Sequence, residues 1–404
     1  MKTYASYIEI KRRYNRSINL ERDLAIPQSL IGYCPTSKGL DFLDRFKKAY
    51  LSPKACRAFT ITSVYGTGKS AFALFLATLT APYIKEAHKI AQAILQKNGY
   101  EDFWFSEEEF AHYFPSSGFV LAIATGDREP ISHTVLKALL NGLSLFWGET
   151  HKRYKVWKEL DETLRILKPH QEIPSQQILE YLKKIGQSCQ APILLIVDEL
   201  GKNFEYAAQT NKDLFLLQQI AEFCCEEHPY KVIFLGLLHQ SFKSYGSLLT
   251  ENVQKEWEKI QGRFEDFSFV EGEREEQIIR LISQVYDSNF PRLEQESIQN
   301  WAKEWKERLD SLGIFSHIPL EVLENIFPLH PLTALLLPKL CYRYGQNERS
   351  IFTFLASHEP FSFRNFLEST IIPEIRGTKK EQILPTLTPP YLYDYFIESM
   401  GFYS

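Results

Sequence analysis

Short apolar runs rich in branched residues alternate along the first two-thirds of the chain with longer stretches whose apolar positions recur every three or four residues. Residues 58–63, 119–125, 193–197, 232–238 and 267–270 have the length and composition of strands, and residues 71–80, 132–147, 152–167, 175–186 and 211–227 read as helices. Near-continuous apolar strands separated by helices predict an α/β fold with a mostly parallel sheet covered on both faces. Beyond about residue 271 the strand signals stop. Residues 273–286, 293–312, 320–327, 332–344 and 350–356 all carry the helical period, punctuated by Pro328, Pro331, Pro360 and Pro373. The pattern predicts three parts: an N-terminal segment 1–50 packing on the α/β domain, that domain over 51–271, and an all-helical region over 272–404. Residues 391–401 read as a helix only beginning where the chain stops, which is expected of a piece of a longer protein.

Composition narrows the class. With 46 Lys and Arg against 50 Asp and Glu, the formal charge of −4 provides no global field for nucleic acid or an anionic membrane. The local run Lys11-Arg12-Arg13 reads as a solvated face. Hydrophobic residues at 44% exclude disorder, no apolar run approaches the ~20 residues that span a bilayer, and residues from Met1 onward lack the apolar core of a signal peptide. A soluble, cytoplasmic protein is the expectation. Cys34, Cys56, Cys189, Cys224, Cys225 and Cys341 form no C-x-x-C pair, so reduced thiols are expected and a cysteine metal site is not.

The segment Thr60-Ile-Thr-Ser-Val-Tyr-Gly-Thr-Gly-Lys-Ser-Ala-Phe-Ala-Leu runs from an apolar strand through a glycine-containing loop into an apolar helix. It follows the phosphate-loop pattern G-x-x-x-x-G-K-[ST] except that Ser63 stands at the first glycine position. Gly66 and Gly68 let backbone N–H groups curl around a phosphate, and the helix opening at Lys69 and Ala71 turns its positive dipole end toward the anion. Backbone from Ser63 through Val64, Tyr65, Gly66, Thr67 and Gly68 forms the cradle in this reading. Lys69 reaches the outer phosphates, and the Ser70 hydroxyl ligates Mg²⁺. A tight turn that merely carries a lysine gives no reason for Ser to follow it at the start of a buried helix.

A second run, Pro192-Ile-Leu-Leu-Ile-Val-Asp-Glu-Leu-Gly, ends a buried strand in two adjacent carboxylates. Paired with the loop it reads as a Walker B strand: Asp198 holds the Mg²⁺ shell through water or Ser70, and Glu199 polarises the attacking water. No L-S-G-G-Q signature, D-E-x-H/D continuation or N-K-x-D base-reading motif is found, which leaves AAA+ and related NTPases.

Together these residues resemble the AAA+ class of P-loop ATPases. More narrowly, Arg16-Ser-Ile-Asn-Leu-Glu-Arg-Asp, the phosphate-loop segment, Val197-Asp-Glu-Leu-Gly-Lys and Phe327-Pro-Leu-His-Pro-Leu-Thr-Ala with Gln346-Asn-Glu-Arg-Ser-Ile-Phe are similar to the large ATP-binding proteins of bacterial anti-phage islands, including BREX-type ATPases. The likeness runs from about residue 16 to 356, and such proteins usually carry a long C-terminal region that this chain lacks. The resemblance implies ATP and Mg²⁺, a helical lid over 272–404, self-assembly or assembly with partner defence proteins, and action on foreign DNA. It implies a polar sensor at His239 or Gln240, which otherwise are a polar pair capping a strand, an arginine finger at Arg263 acting on a neighbouring subunit, which otherwise is a surface arginine in a turn, and a second sensor at Arg349, with Arg343 as the alternative. Tyr33 takes the place of a residue that stacks on adenine, or is plain core. The expected function is an ATPase coupling nucleotide state to assembly or remodelling; a nucleotide-gated scaffold with little turnover and a DNA-translocating motor remain the alternatives.

Overall fold

The computed structural model describes residues 2–11, 18–31, 33, 35–63, 68–97, 115–210, 212–245, 249–268, 275–314, 318–344, 351–373 and 384–399. They form two compact units, one from residues 18–268 and the other from residues 2–11 with 275–399. The strands are β1 (Ile8–Ile10), β2 (Ala58–Thr62), β3 (Val120–Thr125), β4 (Ile193–Asp198), β5 (Val232–Leu238), β6 (Glu265–Ser268) and β7 (Tyr286–Ser288).

In the first unit five strands lie side by side in the order β3-β4-β5-β2-β6, every neighbouring pair parallel. Its longer helices are α1 (Ser37–Leu51), α2 (Lys69–Leu79), α3 (Lys85–Lys97), α4 (Ile131–Trp147), α5 (Lys155–Ile166), α6 (Ser175–Cys189), α7 (Gly201–Thr210), α8 (Phe215–Cys225) and α9 (Glu251–Gln261). The period of two along each strand sorts the core into two halves. Leu195, Val197 and Phe234 join α4, α5, α6, α8 and α9 on one face, while Leu194, Ile196 and Leu235 join α1, α2 and α3 on the other. Burial on both faces explains why β4 and β5 are apolar at nearly every position. The parallel α/β sheet expected from the sequence is therefore present, with strand bounds within a residue or two of the apolar runs.

Helices α3, α7 and α9 lie outside the stretches read as helical, and α8 starts later than its stretch. The stretch read as one helix over 211–227 begins later, at Phe215, and a separate helix, α7, starts immediately after the acidic pair. Phe204, Tyr206 and Ala207 give α7 a buried face, but the polar Asn203 within that face obscures its period.

The second unit holds α10 (Glu275–Ile282), α11 (Arg292–Ser311), α12 (Leu320–Asn325), α13 (Pro331–Tyr344), α14 (Ile351–Ala356), α15 (Phe363–Ser369) and α16 (Pro389–Ser399). It is not all-helical, as the sequence had suggested. Strand β1 pairs antiparallel with β7, Glu9 opposite Asp287. The N-terminal segment consequently divides: residues 18–51 pack on the parallel-sheet unit, but residues 2–11 belong with the helical one. Tyr4 explains the attachment. Its buried ring meets Phe290, Phe327 and Phe366 at 5.8–6.2 Å between centroids, and its hydroxyl donates to Pro385 O at 2.7 Å. No helix among the described residues is long and apolar enough to cross a membrane.

Candidate functional site

The carboxyl ends of the parallel strands carry the chemistry. Strand β2 ends at Thr62, Ser63 follows, and α2 opens at Lys69 behind Gly68, whose φ of +84° is a left-handed backbone that glycine adopts without strain. Val64, Tyr65, Gly66 and Thr67, expected to form the rest of the cradle, lie outside the described residues. Two positions away in the sheet, β4 ends at Asp198, and β5 lies between them.

Lys69 is 4% exposed and its ammonium donates to Ser63 O. Burial pushes its pKa down to about 7, while Asp198 and Glu199 pull it back upward. Asp198 is equally enclosed. Burial pushes its carboxyl up to about 6, against a hydrogen bond from the Ser70 side chain and with the neighbouring Glu199 charge adding to the rise. A buried ammonium and a buried carboxylate, each with its pKa drawn toward 7 by lack of water, make a site poised for ligands that bring their own charge.

Glu199 is set by its backbone. It has φ +51°, an uncommon left-handed conformation for a residue with a side chain, and its N–H donates to Asp198 Oδ1 at 2.9 Å. The Glu199 carboxylate pairs with Lys202, the second residue of α7. Gly126, just past β3, makes room for this turn. Its N–H donates to Asp198 O at 2.6 Å, and a Cβ there would stand 2.5 Å from Glu199 O and 2.7 Å from Asn203 Oδ1. Behind the turn, Asn203 Nδ2 donates to Glu129 O at 3.0 Å and Thr134 Oγ1 at 2.9 Å, fixing α7 to the start of α4.

His239 follows β5 and is half-buried, with its backbone N–H donating to Tyr245 Oη at 3.3 Å. Burial first, then the charges of Lys69 and Lys202, hold its pKa down to about 3. It is a neutral imidazole at physiological pH, able to donate or accept a hydrogen bond but not to act as a cation. Gln240 is exposed.

Of the five buried side-chain oxygens without a hydrogen-bond partner among the described residues, Ser29 Oγ, Asp44 Oδ1, Ser63 Oγ, Thr125 Oγ1 and Asn203 Oδ1, the last three lie near this site. Ser63 and Thr125 lie at the carboxyl ends of β2 and β3, and Asn203 lies beside the acidic turn. Orphaned polar atoms gathered at one end of a sheet are what a site for a polar ligand leaves when described without it. With Ser70 and Asp198 as hard oxygen donors, the set fits a Mg²⁺–phosphate group, because that ion is usually held by one or two protein oxygens plus phosphates.

Of the expected site residues, Lys69, Ser70, Asp198, Glu199 and His239 come together, with Ser63, Gly68 and Ala71 forming the described part of the loop and helix start. Arg263 does not join them. It precedes β6 at the amino ends of the strands, with its guanidinium on Glu222 at 2.9 Å, so it has no part in this chain's own site. Tyr33 packs against Phe75 of α2, ring centroids 5.0 Å apart, on the edge of the core. Arg349 lies outside the described residues, and nothing is described of the Arg343 side chain. Sequence reasoning missed Gly126 and Asn203. The one available signal was a glycine directly after an apolar strand, in Ala124-Thr125-Gly126.

No model of a known protein family matches the chain, and no curated protein matches it significantly.

Proposed function

We propose that this chain binds ATP with Mg²⁺ at the carboxyl ends of β2 and β4 and hydrolyses it, as an AAA+-type ATPase. The observation that carries the reading is the buried pair Lys69 and Asp198 with the half-buried Ser70, Glu199 on the adjoining turn and β5 interposed. The strand order supports it. An inserted strand separates loop and carboxylates by one position, which brings His239 between them, where the resemblance expects a sensor. In open parallel sheets, ligands bind outside the carboxyl ends where the strand order reverses, and β2 is such a point: the chain leaves it for β3, the far edge, and later passes over it to β6.

In this reading Gly68 and the backbone around it cradle the phosphates, while Lys69 neutralises the outer ones. Ser70 and Asp198 hold Mg²⁺, which when bound supplies charge stabilisation to the phosphates. Glu199 takes a proton from the attacking water, and His239 hydrogen-bonds to that water or to the γ-phosphate. Asn203 and Gly126 keep the acidic turn in place. A role in anti-phage defence, with like subunits, partner proteins or DNA engaged, rests on the sequence resemblance, and so does the use of Arg263 in trans.

One observation favours a second reading, a nucleotide-gated scaffold with slow turnover: the Glu199 carboxylate is paired with Lys202. Calorimetric titration with Mg²⁺ and ATP tests the shared premise. Wild type and Glu199→Gln should bind with similar affinity and Lys69→Ala should lose binding by at least 10-fold. Equal affinity in Lys69→Ala removes the nucleotide reading.

A further inference from the structure

Away from this site, at the amino ends of the strands, two cysteines meet. Cys56 directly precedes Arg57 and β2, Cys225 is the last residue of α8, and their sulfurs are 2.9 Å apart although 169 positions separate them in the chain. The seam between them is rigid. Arg57, 1% exposed, donates from Nη1 to Ser52 O at 3.1 Å and from Nη2 to Glu226 O at 2.7 Å, which ties the start of β2 to the residue after Cys225. On the other side, Cys56 Sγ lies 3.5 Å from Arg263 O. The sulfurs are thus brought together by their surroundings, and less than about 1 Å of approach separates them from bonding distance. Cys56 is half-buried and Cys225 exposed, so a small molecule reaches the pair, whereas Cys224 and Cys189 are buried in the core.

We propose that Cys56 and Cys225 are a reversible modification site, a dithiol that takes electrons to a low-molecular-weight disulfide and closes into an intrachain bridge between β2 and α8. The Cys225 S–H donates to the Cys56 sulfur and holds the Cys56 thiol down to about 6; burial opposes this and Arg57 adds to it. Cys56 is therefore the thiolate, and Cys225, its pKa raised by the same contact, the resolving thiol. The Cys56 thiolate attacks one sulfur of the small disulfide, whose S–S bond breaks and releases one small thiolate, leaving a mixed disulfide on Cys56. Cys225 passes its proton to that thiolate, attacks the Cys56 sulfur and expels the second small thiolate, which takes a proton from solvent while the one lost when Cys56 ionised is returned there. Two protein thiols have lost two electrons and two protons, and one disulfide has become two thiols. Cys189 and Cys341, both pushed up to about 12 by burial, stay as inert thiols.

The inference stands apart from the nucleotide reading. Its test uses the full chain and glutathione disulfide: incubation at graded thiol–disulfide ratios, alkylation, non-reducing digestion and mass spectrometry. The expected product is one linked peptide pair, Cys56 to Cys225, reversed by dithiothreitol, with Cys189, Cys224 and Cys341 alkylated. Closing so long a loop should raise Tm by roughly 5 °C or more. Cys225→Ser should instead trap the glutathione adduct on Cys56, and Cys56→Ser should leave Cys225 unreacted. A stable glutathione adduct on the wild-type chain, a bridge to another cysteine, or both thiols free at ratios that oxidise ordinary protein dithiols overturns the proposal.

Discussion

Lys69 shows what the site demands of a single residue. The unfolded chain keeps this ammonium protonated up to about 10.5, but the fold releases the proton near 7, so between those values the unfolded state binds more protons and the stability of the ligand-free protein rises with pH. Replacing it with an apolar residue of similar length removes that burden: Lys69→Met is expected to be more stable than wild type at pH 7 by roughly 1–3 kcal/mol in urea unfolding. A destabilised variant would mean that the ammonium is a structural group. On the proposed ATPase reading, hydrolysis carries its own pH signature. Asp198 must be ionised and Lys69 protonated in the free protein, so kcat/KM for ATP should rise as pH climbs through about 6 and fall as it passes about 7. A flat profile between pH 5 and 9 speaks against both assignments. Lys202→Ala releases the Glu199 carboxylate and should raise turnover several-fold, whereas unchanged or lower turnover shows that the pair orients Glu199 productively. These charged residues were legible in the sequence because a Gly-Lys-Ser after a strand and an Asp-Glu ending another are local patterns. Gly126 and Asn203 were not, because their roles come from contacts with a turn 73 and 4 positions away, as Gly126 to Glu199 and Asn203 to Glu199 are counted along the chain.

At the scale of elements, the strands of the parallel sheet were read nearly residue for residue, since burial on both faces writes an apolar run with few alternatives. Two of the misread elements depend on distant partners, whereas the helices α3 and α9 were simply not read from their local pattern. Residues 286–288 begin at the last position of the stretch read as a helix and are too few to announce a strand; only pairing with Ile8–Ile10 makes them one. For the same reason the N-terminus was assigned to the wrong unit, because nothing local in Tyr4 or Ile8 says which aromatic cluster receives them. The arrangement predicts that deleting residues 1–10 exposes Phe290, Phe327 and Phe366 and weakens the helical unit. Calorimetry of the truncated chain should show part of the unfolding enthalpy moved at least about 5 °C lower; a single unshifted transition contradicts the assignment.

For the whole molecule, one end of the parallel sheet carries a buried cation, a buried carboxylate and unpartnered oxygens, and the other end carries a thiol pair and Arg263. The two ends predict separable chemistry. Oxidation at the Cys56–Cys225 seam leaves the residues of the proposed nucleotide site in place, and variants of that site leave the thiols in place. The claim on which the functional account depends is that Glu199 activates water, and ATP hydrolysis by wild type beside Glu199→Gln, with and without double-stranded DNA while molar mass is followed by light scattering, tests it most directly. The account predicts turnover in wild type and a loss of at least about 100-fold in Glu199→Gln with ATP still bound. Hydrolysis by Glu199→Gln at the wild-type rate would contradict it.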